Sequence, residues 1–497
     1  MPALCIDDRV AKIALTKPPA SAPLTLRRPS PLRPTPRLLR APRGWGSLSM
    51  LFEDWRDQVV AIARRRLPKP EEPLQWYQTA LADIFWLMES APDETQAYEA
   101  IDEAALQADA EVRAMALDGA APAAWDPNPT GSAEELMLSL AVEARALDSA
   151  LWDFRDKAAP DDPDTAYRVD HEREVYLIPR LRYPGRRRPP RNREPFTRRG
   201  LLHHRIFPRE LGGATVRLVQ APRTHSWEDE IVVGGALFKD LTLHPKPVGE
   251  RRFLVDRVIC EDQEAQLDDH LEHCVRGDPC TAVVWPELTL APALQAKVAT
   301  YLKDLAQDRA AKRPGLALLG SWHEQDDGKF RNVTHIYSGY GTQLASYAKM
   351  RRFSYLGREE AIEIGRDLPI VLIDDMLVAF GICKDFCDRH REYPYQKLDI
   401  DLVLVPSFGS AATMNHHLVT AAQIRVQYGA FAFVAQQALK LPVGGQGWIA
   451  GLLDDPADYT ARDVVKPEGF ETFSRATRWE RDAASSAPND GRADETH

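Results

Sequence analysis

Three apolar stretches in the second half of the chain each end in a side chain suited to covalent catalysis. VVWPE ends at Glu287, ASYAK ends at Lys349 and VAFGIC ends at Cys383. A thiolate is a nucleophile, and a nearby ammonium group lowers the pKa of its thiol. A carboxylate can accept the thiol proton, and the ammonium group can stabilise a tetrahedral oxyanion. These residue types therefore predict acyl transfer through a Cys383 thioester.

A second cysteine follows Cys383 in the stretch AFGICKDFCD, and a histidine lies close behind it. Cys387 and His390 leave three interpretations open: a nucleophile beside a buried thiol, a redox pair, and a metal site. Zinc sites use four ligands at recurring spacings, and this stretch has no second cluster to complete one. We therefore expect no metal, a nucleophilic Cys383 and a structural Cys387.

The motifs lie among short β-type runs that alternate with helical segments from residue 214 onward. This alternation predicts an α/β or α+β layered domain. The predicted strands are ATVRLVQ, TAVVWPEL, GLALLGS, NVTHIYS, QLASYAKM, LPIVLID, MLVAFGIC, IDLVLVPS and AFAFVAQQ. The predicted helices are QEAQLDDHLEHC, APALQAKVATYLKDLAQDR and NHHLVTAAQIRVQYG.

The amino-acid sequences of these motifs and their order along the chain resemble those of the nitrilase, or carbon–nitrogen hydrolase, superfamily. VRLVQ resembles its first strand, VVWPE its glutamate element, the stretch from GSWHE to ASYAKM its lysine hairpin, and GICKDFCD its nucleophile turn. The resemblance covers residues 214–452. It implies a four-layer αββα sandwich that pairs as a homodimer and uses no cofactor. It also implies that Glu287 is the general base, Lys349 the oxyanion stabiliser and Cys383 the nucleophile.

Family members often use a second glutamate after the lysine to position the substrate or the base. Glu359 and Glu360 in GREEAIEIG both match that place, and the sequence does not choose between them. Asp385 matches the acidic position two residues after the nucleophile, where it is expected to order the turn.

Four further residues lie near the expected pocket. A substrate-lining role and a packing role are both open for His416 and His417, which begin a helix, and for Trp285 and Phe386. For Trp285 and Phe386 we expect core or pocket wall rather than specific contacts.

Several features depart from the family pattern. Lys384 stands where small-amide hydrolases usually have an aromatic residue, and Gln427 stands where a glutamate is frequent. The stretch 444–452 lacks the serine of the usual Gly-x-Ser strand, and no C-terminal arm is evident. An insertion occupies about 225–260. These departures indicate an unusual rim around the active site, so the substrate does not follow from the resemblance.

The N-terminal half has a different pattern. Residues 1–49 are rich in proline and arginine and are predicted to be disordered, although an over-extended start before Met50 is an equal alternative. Residues 50–158 have helical periodicity in four segments, and Ser132 with Glu135 predicts a capping box. This part is expected to form a separate all-α region.

Residues 159–213 are predicted to be an irregular arginine- and proline-rich linker. Ten arginines lie between Arg180 and Arg205, with Glu194 as the single acidic residue among them. One interpretation is a patch for a protein or nucleic-acid partner; the other is a solvated loop packed against an acidic neighbour. The expected catalytic domain then spans 214–475, and 476–497 form a predicted disordered tail.

Composition limits the class of protein. The chain has 497 residues, a net charge of −10 and 44% hydrophobic residues, values typical of a globular protein. It has no long apolar run and no secretory signal, so we expect no membrane span and a cytoplasmic location. Six cysteines in so long a chain do not indicate a disulfide framework.

Three functions fit these observations. The first is hydrolysis of a non-peptide C–N bond in a small amide or nitrile. The second is N-acyl transfer by the same three residues, in which an amine intercepts the thioester. The third is a non-enzymatic nitrilase-like scaffold in a larger assembly, for which the three catalytic residues would be unnecessary.

Overall fold

The computed structural model describes most of the chain from Leu51 to Ala476. The described residues are 51–65, 73–92, 103–117, 124–154, 160–169, 174–180, 201–224, 230–276, 279–355, 357–373, 376–388, 394–439, 446–453, 464–465 and 469–476. We predicted that segments 1–49 and 476–497 are disordered; both lie outside the described residues except Ala476, which ends the last strand.

Four amphipathic helices form the first part of the described chain. They are α1 (Phe52–Arg65), α2 (Pro73–Glu89), α3 (Glu103–Leu117) and α4 (Ala133–Trp152). The predicted capping box is present, since Ser132 Oγ accepts from the Glu135 N–H at 3.2 Å and Glu135 Oε2 accepts from the Ser132 N–H at 2.8 Å. The apolar faces share one core, in which the Trp55 indole donates to the Leu87 carbonyl at 2.7 Å. Among the described helices, none is long and apolar enough to cross a membrane.

The rest of the chain is mixed α/β. Its helices are α5 (Pro163–Ala166), α6 (Gln263–Arg276), α7 (Pro292–Leu305), α8 (Lys384–Cys387), α9 (Pro394–Lys397) and α10 (Ala411–Tyr428). Its strands are β1 (Arg168–Val169), β2 (Val175–Pro179), β3 (His204–Pro208), β4 (Glu210–Leu211), β5 (Ala214–Gln220), β6 (Glu230–Ala236), β7 (Thr242–Val248), β8 (Arg252–Ile259), β9 (Ala282–Glu287), β10 (Leu316–Asp326), β11 (Lys329–Ser338), β12 (Gln343–Ala348), β13 (Ser354–Tyr355), β14 (Arg358–Glu360), β15 (Asp367–Ile373), β16 (Met376–Phe380), β17 (Leu402–Gly409), β18 (Phe431–Ala438), β19 (Gly447–Ala450), β20 (Val464–Val465) and β21 (Phe470–Ala476).

Two large sheets lie at the centre of this part. One has the order β12-β11-β10-β9-β6-β21 and the other the order β20-β19-β18-β17-β16-β15-β5-β4. Side chains of both sheets share one apolar cluster, the inter-sheet core, to which β9 gives Val284 and β17 gives Leu404. The opposite face of β9 and β10 packs under α6 and α7, and α10 packs on β17, β18 and β19. The predicted mixed α/β class is therefore confirmed.

The segment 225–260, expected as an insertion, contains three strands that we did not predict. β6 joins the six-stranded sheet, while β7 and β8 form a small sheet with β13 and β14. β7 has prolines at 245 and 247 and no buried residue, so it lacks the apolar alternation by which strands are recognised. β21 was also missed; it pairs with β6 from the far end of the chain, which local sequence cannot indicate.

The predicted linker differs most from the structure. β1, β2 and β3 form a three-stranded sheet, here called the adapter sheet, within residues 168–208. Its side chains alternate between two cores. Val175 and Leu177 pack with the N-terminal helices, whereas Tyr176 and Ile178 enter the inter-sheet core. A strand with two apolar faces reads as a continuous apolar run, and VYLIP is too short for that run to stand out.

The arginines at the two ends of the predicted basic patch are buried and form ion pairs. Arg180 Nη2 pairs with Asp399 Oδ2 at 2.7 Å, and Arg205 Nη1 pairs with Asp401 Oδ2 at 2.6 Å. Both arginines are buried, so their proposed role in binding a partner is wrong. Residues 181–200 of the patch lie outside the described residues.

Asp148 on α4 ties the helices to the adapter sheet. Its side chain is fully buried and accepts from the N–H groups of Leu202 and His203 at 2.6 and 2.8 Å and contacts His204 Nδ1 at 2.8 Å. One carboxylate thus satisfies three groups that are otherwise remote from α4 in the chain.

Replacing Asp148 by alanine is expected to lower the free energy of unfolding by about 3 kcal/mol, because two backbone N–H groups and an imidazole lose a charged partner away from water. Urea unfolding followed by tryptophan fluorescence measures the change. The exposed Asp153 at the end of the same helix is the matched control. A stability of Asp148→Ala equal to that of Asp153→Ala would contradict the role given to Asp148.

Candidate active site

Cys383 lies on a tight turn after β16. Its φ is 46° and its ψ is −104°, a conformation that L-residues rarely adopt. The Cys383 N–H donates to the Pro406 carbonyl on β17 at 3.0 Å, and its own carbonyl accepts from the Phe386 N–H at 3.0 Å. A Cβ on Gly381 would lie 2.3 Å from the Tyr395 hydroxyl, so glycine is needed there for the turn to form. The turn therefore holds the thiol in one place.

Glu287 and Lys349 meet at the ends of β9 and β12. Lys349 Nζ donates to Glu287 Oε1 at 2.7 Å and to Glu360 Oε2 at 2.9 Å. All three side chains are at most 3% exposed. Burial lowers the pKa of Lys349, but the two carboxylates outweigh burial and raise it well above its ordinary value. Lys349 is therefore a fixed cation.

Of the two glutamates that the sequence left open, Glu360 joins this cluster. Its Oε2 also accepts from the Phe353 N–H at 3.1 Å. Burial acts to raise the pKa of Glu360, but Lys349 and His323 hold it well below its usual range. Glu359 points to the surface, where it pairs with Arg352 at 3.5 Å.

Two residues that sequence reasoning missed complete the cluster. Asn332 Nδ2 donates to Glu287 Oε1 and to Glu360 Oε1, both at 2.9 Å. His323 Nε2 lies 2.8 Å from Glu360 Oε1, and its Nδ1 accepts from the Val255 N–H at 2.7 Å. Because an N–H can only donate, Nδ1 is the acceptor and Nε2 carries the proton toward Glu360. His323 and Asn332 are register partners on β10 and β11, a pairing visible only once the hairpin is formed.

Phe408 connects Glu287 to Cys383 through its backbone. Its N–H donates to Glu287 Oε2 at 3.1 Å, and its carbonyl lies 3.8 Å from Cys383 Sγ as the acceptor of the thiol. The Cys383 side chain is 1% exposed. Burial and then Glu287 raise the pKa of the thiol well above its ordinary value, while Lys349 acts to lower it. The backbone of Phe408 thus contacts both Glu287 and Cys383, and Lys349 joins them through Glu287, with the thiol neutral at rest.

Asp385 fixes the nucleophile turn to the lysine strand. It accepts from the Tyr347 hydroxyl at 2.8 Å, the Met350 N–H at 3.1 Å and the Ile382 N–H at 3.3 Å. These contacts agree with the turn-ordering role expected from the sequence. Burial raises the pKa of Asp385 to about 7, with Lys349 opposing the shift.

The other residues predicted near the site have varied environments. Trp285 packs in the apolar cluster beneath α6 and α7. The Phe386 ring is stacked on His417, with centroids 5.9 Å apart, and tilted against Tyr395, with centroids 5.8 Å apart. His416 is exposed on α10, whereas His417 is fully buried and hydrogen-bonds Ser407.

Cys387 is a buried thiol whose pKa burial raises to about 11. This environment fits the structural role expected for it. The described residues contain no cluster of three or more side chains that could hold a metal ion. His390, from the metal interpretation, lies outside them.

Comparison with known proteins gave structural matches alone. No family model and no curated protein sequence matches the chain significantly. An amidase from Nesterenkonia sp. has 14% identity and a TM-score of 0.34, covering 51% of this chain and 94% of that chain. A cysteine-to-alanine variant of the Nesterenkonia AN1 amidase, described as from the nitrilase superfamily, has 16% identity and a TM-score of 0.34, covering 52% and 92%. The proposal below rests on the contacts within the site.

The raised pKa of Asp385 predicts how the stability of the protein changes with pH. Its pKa in the folded state is higher than the ordinary aspartate value of 3.8, so folding favours the protonated carboxyl. The resulting stabilisation is complete below about pH 4 and is lost as the pH rises to about 7. The free energy of unfolding of the wild type should fall relative to Asp385→Asn by up to about 4 kcal/mol over this range. Urea unfolding from pH 4 to 8 measures it, and parallel pH profiles of the two proteins would contradict the assignment.

Proposed function

We propose that this protein is a thiol-dependent carbon–nitrogen hydrolase of the nitrilase type, acting on a small amide or nitrile through a thioester on Cys383. We further propose that its two large sheets and outer helices form the four-layer αββα sandwich of that superfamily. The observation that carries the proposal is that the backbone of one residue, Phe408, contacts both Glu287 and the Cys383 thiol. A structural cysteine has no need of a buried carboxylate and ammonium group beside it.

In the proposed first half-reaction, Glu287 Oε2 takes the Cys383 proton as the sulfur attacks the amide carbonyl carbon. The C–S bond forms, and the carbonyl π electrons move to oxygen, where Lys349 stabilises the negative charge. The C–N bond then breaks, and the amine leaves with the proton held by Glu287. A thioester and a neutral amine result.

In the second half-reaction, water attacks the thioester. Glu287 takes a proton from the water, the C–O bond forms and the C–S bond breaks after a second oxyanion at Lys349. The proton on Glu287 returns to the leaving sulfur, which regenerates the thiol and releases a carboxylic acid. An amine in place of this water would give N-acyl transfer, so product analysis with an added amine distinguishes the two outcomes.

The charge of the site explains why the resting thiol is neutral. Glu287 and Glu360 already surround Lys349, so a resting thiolate would add a third negative charge around one cation. Removal of the proton together with attack moves that charge onto the substrate oxygen instead. The neutral resting thiol is therefore compatible with catalysis.

Cys383→Ala is expected to lower kcat at least about a thousandfold, because no other group can form the thioester. Cys387→Ala should keep kcat within about threefold, since Cys387 is in none of the hydrogen bonds of the cluster. Release of ammonia from a panel of small amides gives both values. Turnover that survives in Cys383→Ala would contradict the proposed function.

Glu360→Gln is expected to lower kcat about a hundredfold, because a neutral amide cannot hold the Lys349 ammonium group in place. Glu359→Gln, one residue away at the surface, is the matched control and should be within about twofold of the wild type. The same assay measures both, and circular dichroism confirms that each variant is folded. Equal rates for the two variants would rule out a role for Glu360.

A further inference from the structure

A second buried hydrogen-bonded group lies next to the backbone carbonyls that contact Cys383. Ser407 sits on β17 between Pro406 and Phe408, the two residues whose carbonyls contact Cys383. Its side chain is fully buried. Its hydroxyl oxygen lies 3.0 Å from His417 Nε2 and 3.3 Å from Gln436 Oε1.

The directions of these hydrogen bonds follow from the neighbouring groups. Gln436 Nε2 donates to the Ser410 carbonyl at 2.9 Å, so its Oε1 is the acceptor for Ser407. Burial, and then His416, lower the pKa of His417 to about 3, so His417 is neutral and carries one ring proton. Its Nδ1 has no partner. A buried N–H without an acceptor is rarer than a buried acceptor without a donor, so the proton lies on Nε2 and is donated to Ser407.

The one hydroxyl proton of Ser407 can therefore turn toward Gln436 Oε1 or toward the Cys383 sulfur. Ser407 acts to lower the pKa of the Cys383 thiol, against burial and Glu287, which raise it. The hydrogen bond that Ser407 accepts from His417 polarises its O–H and makes it a better donor. The mechanism above uses none of the side chains of Ser407, His417 and Gln436.

We propose that Ser407 is a further catalytic residue that donates its O–H to the Cys383 sulfur as negative charge develops there, with His417 and Gln436 as the residues that position it. The inference rests on the proposed function of Cys383. In the resting enzyme the Ser407 proton points to Gln436 Oε1; when Glu287 takes the thiol proton, the Ser407 O–H rotates to the sulfur. Ser407 keeps its proton throughout, and His417 Nε2 donates to Ser407 Oγ in both states.

The role is the same when the thioester breaks. The departing sulfur again gains negative charge before Glu287 returns the proton, and Ser407 donates to it a second time. The buried histidine that the sequence placed near the pocket would therefore act through Ser407 and would not contact the substrate.

The rate of iodoacetamide alkylation of the full-length protein tests this without substrate, because it reports the thiolate fraction of each cysteine below its pKa. Peptide mapping gives the rates at Cys383 and at Cys387, which serves as the internal reference. In Ser407→Ala the Cys383 to Cys387 ratio should fall about tenfold across the pH range below the thiol pKa. Thr420→Val, which removes another fully buried hydroxyl one turn beyond His417, is the matched control and should leave the ratio unchanged.

His417 is tested by a rescue pair. His417→Leu should lower the ratio about threefold, because Ser407 loses the N–H that polarises it. His417→Gln should restore it, since the glutamine amide places a donor where Nε2 lies. A ratio in Ser407→Ala within twofold of Thr420→Val overturns the proposal, and equal ratios in the two His417 variants overturn the positioning role of His417.

Failure of this inference and failure of the proposed function have different signatures. Normal amide turnover with an unchanged alkylation ratio in Ser407→Ala contradicts Ser407 alone. Turnover that survives in Cys383→Ala contradicts the proposed function, whatever the alkylation ratio shows.

Discussion

The candidate site depends on one buried ammonium group. Lys349 Nζ lies 2.7 Å from Glu287 and 2.9 Å from Glu360, with all three groups removed from water. An isolated buried cation is costly, and removing one partner of a buried ion pair leaves an uncompensated charge. The two carboxylates therefore fix Lys349 in place, and Lys349 in turn fixes Glu287 and Glu360.

The surrounding fold supplies the partners that this arrangement needs. Asn332 spans the two carboxylates, His323 holds Glu360 against β8, and Asp385 ties the nucleophile turn to Met350, directly after the lysine. His323 and Asn332 join two strands to the cluster, and Asp385 joins helix α8 to it. The paired register of β9, β10 and β11 brings Glu287, His323 and Asn332 to neighbouring positions.

Local sequence was sufficient to predict the reactive residues that follow strands with a clear apolar run. VVWPE and VAFGIC are short apolar runs whose ends are clear, so Glu287 and Cys383 were found directly. The sequence did not separate Glu359 from Glu360, because neighbouring residues on a strand point to opposite faces and β14 has no apolar pattern to reveal which face is inside. His323 and Asn332 have ordinary polar surroundings in the sequence, and their role appears only when β10 pairs with β11. The adapter sheet was missed because its apolar strands are short and lie beside a long arginine-rich stretch.

The proposed mechanism requires a covalent bond to the Cys383 sulfur. Acid-quench mass spectrometry of the protein during turnover of a small amide observes that bond directly. We expect a fraction of the protein to gain the mass of one acyl group, located by peptide mapping on Cys383 and absent in Cys383→Ala. Turnover with no acyl group on Cys383, or with the acyl group on Cys387, would contradict the account.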